Sequence, residues 1–385
     1  MTFTPGRHIT HFDLDGFYIA VERLKNAAFK NKPLLIGGSG DRAIVAAASY
    51  ETRKSGIRPG MPMKFARKLC PEAIVISGDG ESYSKYSGIV SEVIEESVPL
   101  YEKSGINEFY IDLSGMDKFF GCNLFSKELQ AKITKQTGLS ATFGLASNKL
   151  LSKVAAGEVK PNGQIQIPFG NEKSYLAPLR VNRLPGIADQ KVMLLYQMGV
   201  ERVKTLSEVP IEMLFNLLGK EGIEISRKAN GIDESPVVPY KEQKSISREK
   251  TFQTDTINID FLHAALVRMT EEAGFELRKQ NKLTGCITVK LMYSNSDTVT
   301  KSEKVTYTAA DHIIIKVARE LFNKLFDRRI MIRMVGIRFT ELIAGNYQIN
   351  LFDDAHETIK LYQAIDSVKF RFGSQFLRSA KAIIK

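Results

Sequence analysis

Two strand-like apolar runs, about a hundred residues apart, each carry carboxylates that a buried strand would not normally accept. The first is Phe12-Asp13-Leu14-Asp15-Gly16-Phe17-Tyr18, entered through Ile9. The second is Asn107-Glu108-Phe109-Tyr110-Ile111-Asp112. A carboxylate at the end of an apolar strand is costly unless it meets water or a cation, so a fold that satisfies both runs brings their acidic ends to one polar edge. Carboxylates converging on shared divalent ions are what two-metal phosphoryl transfer requires. Asp-x-Asp alone is weak evidence, because such pairs are usually solvated; its apolar setting gives it weight. Asn107 stands where a third carboxylate would be expected.

The partner class follows from charge. Lys and Arg number 54 against 43 Asp and Glu, a net of +11, as expected for a protein that meets a long polyanion, nucleic acid above all. A length of 385 residues exceeds what one core usually organises, and 43% hydrophobic with 25% charged residues excludes disordered and fibrous classes. Cys70, Cys122 and Cys286 are isolated, with no disulfide or zinc spacing, and read as buried thiols in a reducing compartment. No charged start with an apolar stretch opens the chain, and no run approaches the ~18 apolar residues of a membrane span. The expected location is cytoplasmic, with no membrane partner.

Along the chain, a strand within His8 to Tyr18 leads to a helix from about Phe17. Residues 27–80 read as a small inserted unit with strands at Pro33–Gly37 and Ala43–Ala48. Helix and strand signals then alternate: a helix over Tyr83–Val98, a strand over Ile106–Leu113, a helix near Leu124–Thr137 and a strand at Ser140–Ala146. Short helices with glycine punctuation follow to Val238, and Val237 to Lys244 mixes Pro and charge like a tether. The last α+β stretch includes strands at Ile287–Leu291 and Ile332–Phe339. Residues 241–340 hold 18 Lys and Arg against 12 Asp and Glu, so over half the excess charge lies in about a quarter of the chain.

These motifs, taken in order, resemble the Y-family translesion DNA polymerases of the DinB, or DNA polymerase IV, branch. The matching stretches are Asp13 to Tyr18, Ala48 to Gly56, Gly105 to Asp112, Ser147-Asn148-Lys149, Val159 to Gly163, Leu184 to Ile187, and Lys244 to Phe252. The resemblance implies an α+β multidomain right-hand polymerase. Its palm is expected at 1–26 and 81–168, fingers at 27–80, a helical helix-hairpin-helix-like thumb at 169–238, a linker at 239–246, an α+β little finger at 247–342 and a C-terminal tail at 343–385. The implied reaction is template-directed, low-fidelity attack of a primer 3′-hydroxyl on a deoxynucleoside triphosphate, by a monomer bound to primer-template DNA.

The resemblance also implies residue roles. Asp13, Glu108 and the Leu14 carbonyl would ligate two Mg²⁺ ions, with Mn²⁺ an alternative, and Asn107 occupies the remaining ligand position; hard oxygen donors suit such ions. Phe17 and Tyr18 would meet the nucleotide, Tyr18 as the gate that excludes a ribose 2′-hydroxyl. Tyr50, Arg53 and Lys160 match triphosphate contacts. Ala46, Ala47 and Ala48 suggest a low roof over the nascent base pair. Gly186, Ile187 and Ala188 resemble a hairpin turn whose amides meet a DNA phosphate, with alanine where the family has glycine. Gln348, Leu351 and Phe352 resemble the pentapeptide that docks on the sliding clamp, and Leu361, Ile365, Val368 and Phe372 lie at helical spacing beyond it.

Asn107 leaves three accounts open. The chain is an active enzyme with a weakened metal site, a catalytically silent adaptor bound to DNA and clamp, or the bearer of an engineered substitution. Asp112 cannot replace the missing carboxylate, because four strand residues put it about 13 Å from Glu108. Asp15 is a possible auxiliary ligand. A different palm-fold enzyme, such as a nucleotide cyclase, would leave the later domains without a purpose.

Overall fold

The computed structural model describes residues 6–38, 40, 42–116, 121–239, 244–327, 329–345, 355–373, 377 and 379–382. The chain folds as two units, Met1–Lys241 and Glu242–Lys385.

In the first unit, β1 (Ile9–Leu14) is buried along its whole length, and Gly16 at φ +53° turns the chain into α1 (Phe17–Lys25). A three-stranded sheet with its own core follows. It comprises β2 (Leu34–Gly37), β3 (Val45–Ala48), α2 (Tyr50–Lys54), α3 (Met63–Leu69) and β4 (Ile74–Ile76), packed around Leu35, Val45, Ile57 and Met63. Ser49 caps α2 by accepting a hydrogen bond from the Thr52 N–H. Then come α4 (Gly80–Glu95), β5 (Tyr101–Lys103), β6 (Glu108–Asp112), α5 (Cys122–Thr137), β7 (Ala141–Ala146), α6 (Lys149–Glu158) and β8 (Gln164–Gln166).

These complete a five-stranded sheet in the order β5-β6-β1-β7-β8. Across its middle, Phe109, Phe12 and Phe143 share one rung, all fully buried against α1, α4 and α5. Each such ring contributes about 1.5–3 kcal/mol of burial. Because side chains alternate along β1, fixing Phe12 and Leu14 in this core turns His11, Asp13 and Asp15 to the opposite face. A helical group follows: α7 (Glu172–Leu176), α8 (Asp189–Gln197), α9 (Val203–Glu208), α10 (Ile211–Leu218) and α11 (Lys220–Ala229), around Leu176, Leu195, Leu206 and Leu214.

The expected tether at Val237 to Lys244 is not free at its start. Val237 is buried with Ile9 and Tyr110, and the Val238 N–H donates to Glu102 Oε2 at 2.9 Å. Lys149 completes the anchor, pairing with the same carboxylate at 2.6 Å. Residues 240–243 lie outside the described residues.

The second unit runs β9 (Ile246–Thr256), α12 (Ile259–Lys279), β10 (Lys282–Tyr293), β11 (Thr298–Thr308), α13 (Asp311–Leu325), β12 (Ile332–Ala344) and α14 (Ala355–Phe372). Its sheet, in the order β11-β10-β12-β9, is antiparallel throughout. Leu262, Leu266, Ile314 and Phe322 of α12 and α13 pack with Ile287, Val289 and Ile337 of the strands in one core. The C-terminal helix forms as expected but presents a different face. Leu361 and Phe372 are more than half exposed, while Tyr362, Asp366 and Lys369 are buried. The reason is electrostatic: Arg278 of α12 draws Asp366 inward, donating from Nε to Oδ2 at 2.7 Å and from Nη2 to Oδ1 at 3.0 Å.

Candidate active site

β1 and β6 pair antiparallel with Asp13 opposite Glu108, so the two acidic runs meet on one rung of the sheet. The Leu14 N–H donates to the Asn107 carbonyl at 3.0 Å, locking the approach of β6 beside the end of β1. Asn107 points its amide at the aspartate, Nδ2 donating to Asp13 Oδ1 at 3.0 Å. Lys160 forms an ion pair with Asp13 Oδ2. Lys153 Nζ lies 2.6 Å from Glu108 Oε2, and His11 Nε2 lies 3.9 Å from the same oxygen. The His11 ring and the Lys153 ammonium, against the opposing effect of burial, hold the Glu108 carboxyl down at about 2. Burial pushes the His11 imidazole below its ordinary value, against the pull of Glu108 and Asp13.

Asp15 is engaged by its own neighbours. Its Oδ1 accepts from the Thr142 hydroxyl at 2.8 Å and its Oδ2 from the Asn162 N–H at 2.9 Å. Both oxygens are thereby used to hold the loop that carries Lys160 beside Asp13. Asp112 stands at the other end of the rung ladder, opposite Ile9.

Around this edge, Tyr18 packs edge-to-face on Tyr83 at 4.9 Å, beside a cleft of about 410 Å³ that Gly37, Gly38, Ala46 and Gly78 also line. Of the three alanines expected to form a roof, Ala46 alone faces the cleft: the pairing of β2 with β3 shifts register at Ala46, leaving it exposed, while Ala47 and Ala48 turn into two separate cores. Phe17, expected to meet the nucleotide, is 2% exposed and has its side chain in the main core. The Tyr50 hydroxyl is buried without a hydrogen-bond partner, and burial pushes its pKa up, leaving a donor in need of an acceptor. Arg53 lies with its guanidinium 5.0 Å from the Tyr50 ring centre and donates from Nε to the Ala48 carbonyl at 3.0 Å.

In the helical group, Gly186 takes φ +78°, and Lys228 Nζ donates to the Pro185 carbonyl at 3.1 Å. Ala188 stands at the N-cap of α8, where it gives no side-chain hydrogen bond to the first N–H groups of that helix. Gln348, Leu351 and Phe352 lie outside the described residues.

All donors around the rung are hard oxygens: carboxylates from Asp13 and Glu108, the Asn107 Oδ1 and the Leu14 carbonyl. That set fits a divalent ion such as Mg²⁺ but is one negative charge short. Among the described residues no three His, Cys, Asp or Glu side chains form a metal cluster.

Comparison with known proteins follows the same outline. The impB/mucB/samB family profile matches residues 12–157, and that of the family's C-terminal domain matches residues 243–351. A DNA polymerase IV of Dehalococcoides mccartyi is 33% identical over 379 residues, covering 97% of each chain. Another from Xanthomonas euvesicatoria pv. vesicatoria is 35% identical over 358 residues, covering 90% of this chain and 98% of its own. This chain belongs to the DNA polymerase IV branch of the Y family.

Solved Y-family polymerases share the right-hand fold. A Y-family chimera aligns with TM-score 0.78 at 25% identity, covering 88% of this chain and all of its own. DinB from Sulfolobus solfataricus aligns with TM-score 0.61 at 25% identity over the same shares. Y-family polymerases use divalent metal ions.

The sequence reading missed Lys153, His11 and the role of Asp15. His11 and Asp15 had a signal, since both share the strand parity of Asp13. Lys153 had none, because nothing in its local sequence says that α6 lies against β1 and β7, within reach of Glu108.

Proposed function

We infer that this chain carries out template-directed DNA synthesis of the low-fidelity, translesion type, joining a deoxynucleoside triphosphate to a primer 3′-hydroxyl. Asp13 facing Glu108 across one rung, beside an orphaned Tyr50 hydroxyl and the Lys160 ammonium, is the observation that carries this reading. Asp13, Glu108, Asn107 and the Leu14 carbonyl would hold two divalent ions, Mg²⁺ in the first instance. When bound, such ions neutralise triphosphate charge and make the primer hydroxyl a better nucleophile. Tyr50, Arg53 and Lys160 hold the phosphates, and Tyr18 stands against the sugar. The exposed Ala46 leaves the base pair loosely covered, so discrimination rests mainly on pairing.

The domain roles follow from this placement. The five-stranded sheet serves as palm, the three-stranded sheet as fingers, the helical group as thumb and the second unit as little finger. The uncapped start of α8 at Gly186, Ile187 and Ala188 suits a DNA backbone phosphate. Gln348, Leu351 and Phe352 are assigned to a sliding clamp on sequence alone, and a monomer working in the bacterial cytoplasm completes the proposal.

Primer extension by the native chain and by Asn107→Asp tests the reading. The native chain is expected to extend, and the variant to do so at least about tenfold faster at limiting Mg²⁺, since a bridging carboxylate adds charge at the ions. No extension by either would overturn it in favour of a silent adaptor on DNA and clamp. For the gate, Tyr18→Ala is expected to raise ribonucleotide incorporation relative to deoxynucleotide by about a hundredfold or more. That gain is about 3 kcal/mol of lost steric discrimination, and competition assays with matched triphosphates would measure it.

A further inference from the structure

Both oxygens of Asp13 are engaged in this structure. Oδ1 accepts the Asn107 amide at 3.0 Å, and Oδ2 is paired with Lys160. Glu108 is paired with Lys153 at 2.6 Å. Two carboxylates therefore face two ammonium groups, and Asn107 adds no charge, so the rung is formally neutral. A divalent cation approaching it gains little from long-range attraction and must first displace an ammonium. Lys160 is no chance neighbour. Asp15 pins its loop through Thr142 and Asn162 N–H, and the loop is closed tightly enough that a Cβ on Gly163 would stand 1.9 Å from the Val159 carbonyl oxygen.

Lys160 also has a second partner under the proposed function, the triphosphate, whose several negative charges compete for its ammonium far more strongly than one carboxylate does. We propose that Lys160 is an internal counter-ion that masks Asp13 until nucleotide enters, coupling triphosphate binding to capture of the metal. Asn107 makes the mask effective. With a carboxylate in its place the rung would keep one unbalanced negative charge, and metal would bind without help from nucleotide. The proposal rests on Asp13 and Glu108 being metal ligands, and its test separates the two ideas.

The measurement is Mn²⁺ binding to the full chain, free of nucleotide and DNA, followed by the electron paramagnetic resonance signal of the unbound ion. Lys160→Met is expected to bind Mn²⁺ at least about tenfold more tightly than the native chain, because removing the adjacent positive charge unmasks the carboxylate. Lys160→Arg, which keeps the charge, should bind as weakly as the native chain, and thermal unfolding reports whether each variant is folded. If Lys160→Met binds no more tightly while Asp13→Asn loses Mn²⁺, the ligand assignment stands and the masking proposal is overturned. If Asp13→Asn, placed in either background, leaves binding unchanged, the ligand assignment fails and takes the proposal with it.

Discussion

Asp13→Asn is expected to lower kcat/KM for nucleotide insertion by at least about a thousandfold, equivalent to roughly 4 kcal/mol of transition-state stabilisation. Its partners tie it to three separate segments: it faces Glu108, accepts from Asn107 and pairs with Lys160. The asparagine has nearly the same shape, so β1 and its phenylalanine core should be undisturbed. Single-turnover primer extension would measure the loss. DNA affinity by fluorescence anisotropy should stay within about twofold, because phosphate contacts spread over a basic surface are insensitive to one buried carboxylate. A drop of less than tenfold would remove Asp13 from the centre of the reaction.

The largest effect on stability is expected at Arg278. Its guanidinium is 5% exposed and forks between Asp311 of α13 and Asp366 of α14, at 2.7 Å to each. Its Nη1 donates to the Ala309 carbonyl at 2.9 Å, and its plane lies 4.9 Å from the Tyr362 ring centre. Gly274 is needed beside it, since a Cβ there would stand 2.1 Å from Asp311 Oδ1. Arg278→Ala leaves two carboxylates buried without their cation, which costs about 3–5 kcal/mol. Calorimetry should show the transition of the second unit falling by about 10 °C, with α14 released. Arg278→Lys should recover part of the loss, because an ammonium restores charge but not the fork. An unchanged transition would show that α14 is held by its apolar contacts alone.

Much of the five-stranded sheet was legible because its signals are local. The strand at Ile9–Leu14, the helix after Gly16 and the strand through Glu108 each follow from apolar periodicity ended by a turn residue, and they fall within a few residues of expectation. Errors came where a neighbour far along the chain decided. Leu361 and Phe372 look like an apolar helix face, yet α14 turns Asp366 inward because Arg278 offers that carboxylate two strong hydrogen bonds. Val237 looks like linker, yet it is buried because Ile9 and Tyr110 leave an apolar patch and Glu102 an acceptor beside it. Ala47 and Ala48 look like a roof, yet a register shift against β2 leaves only Ala46 exposed and turns the next two into separate cores.

By itself the sequence determined the chemistry on offer: carboxylates ending two apolar strands, the hydrogen-bond donors of Tyr50, Arg53 and Lys160, and an amide at position 107. These are properties of residue type and short-range pattern, and no packing alters them. Only the tertiary structure decided which charge neutralises which. Lys160 comes to Asp13 and Lys153 to Glu108 because β7 and α6 lay distant segments against the edge of β1, and an ion pair depends on separations of a few ångströms that linear spacing does not encode.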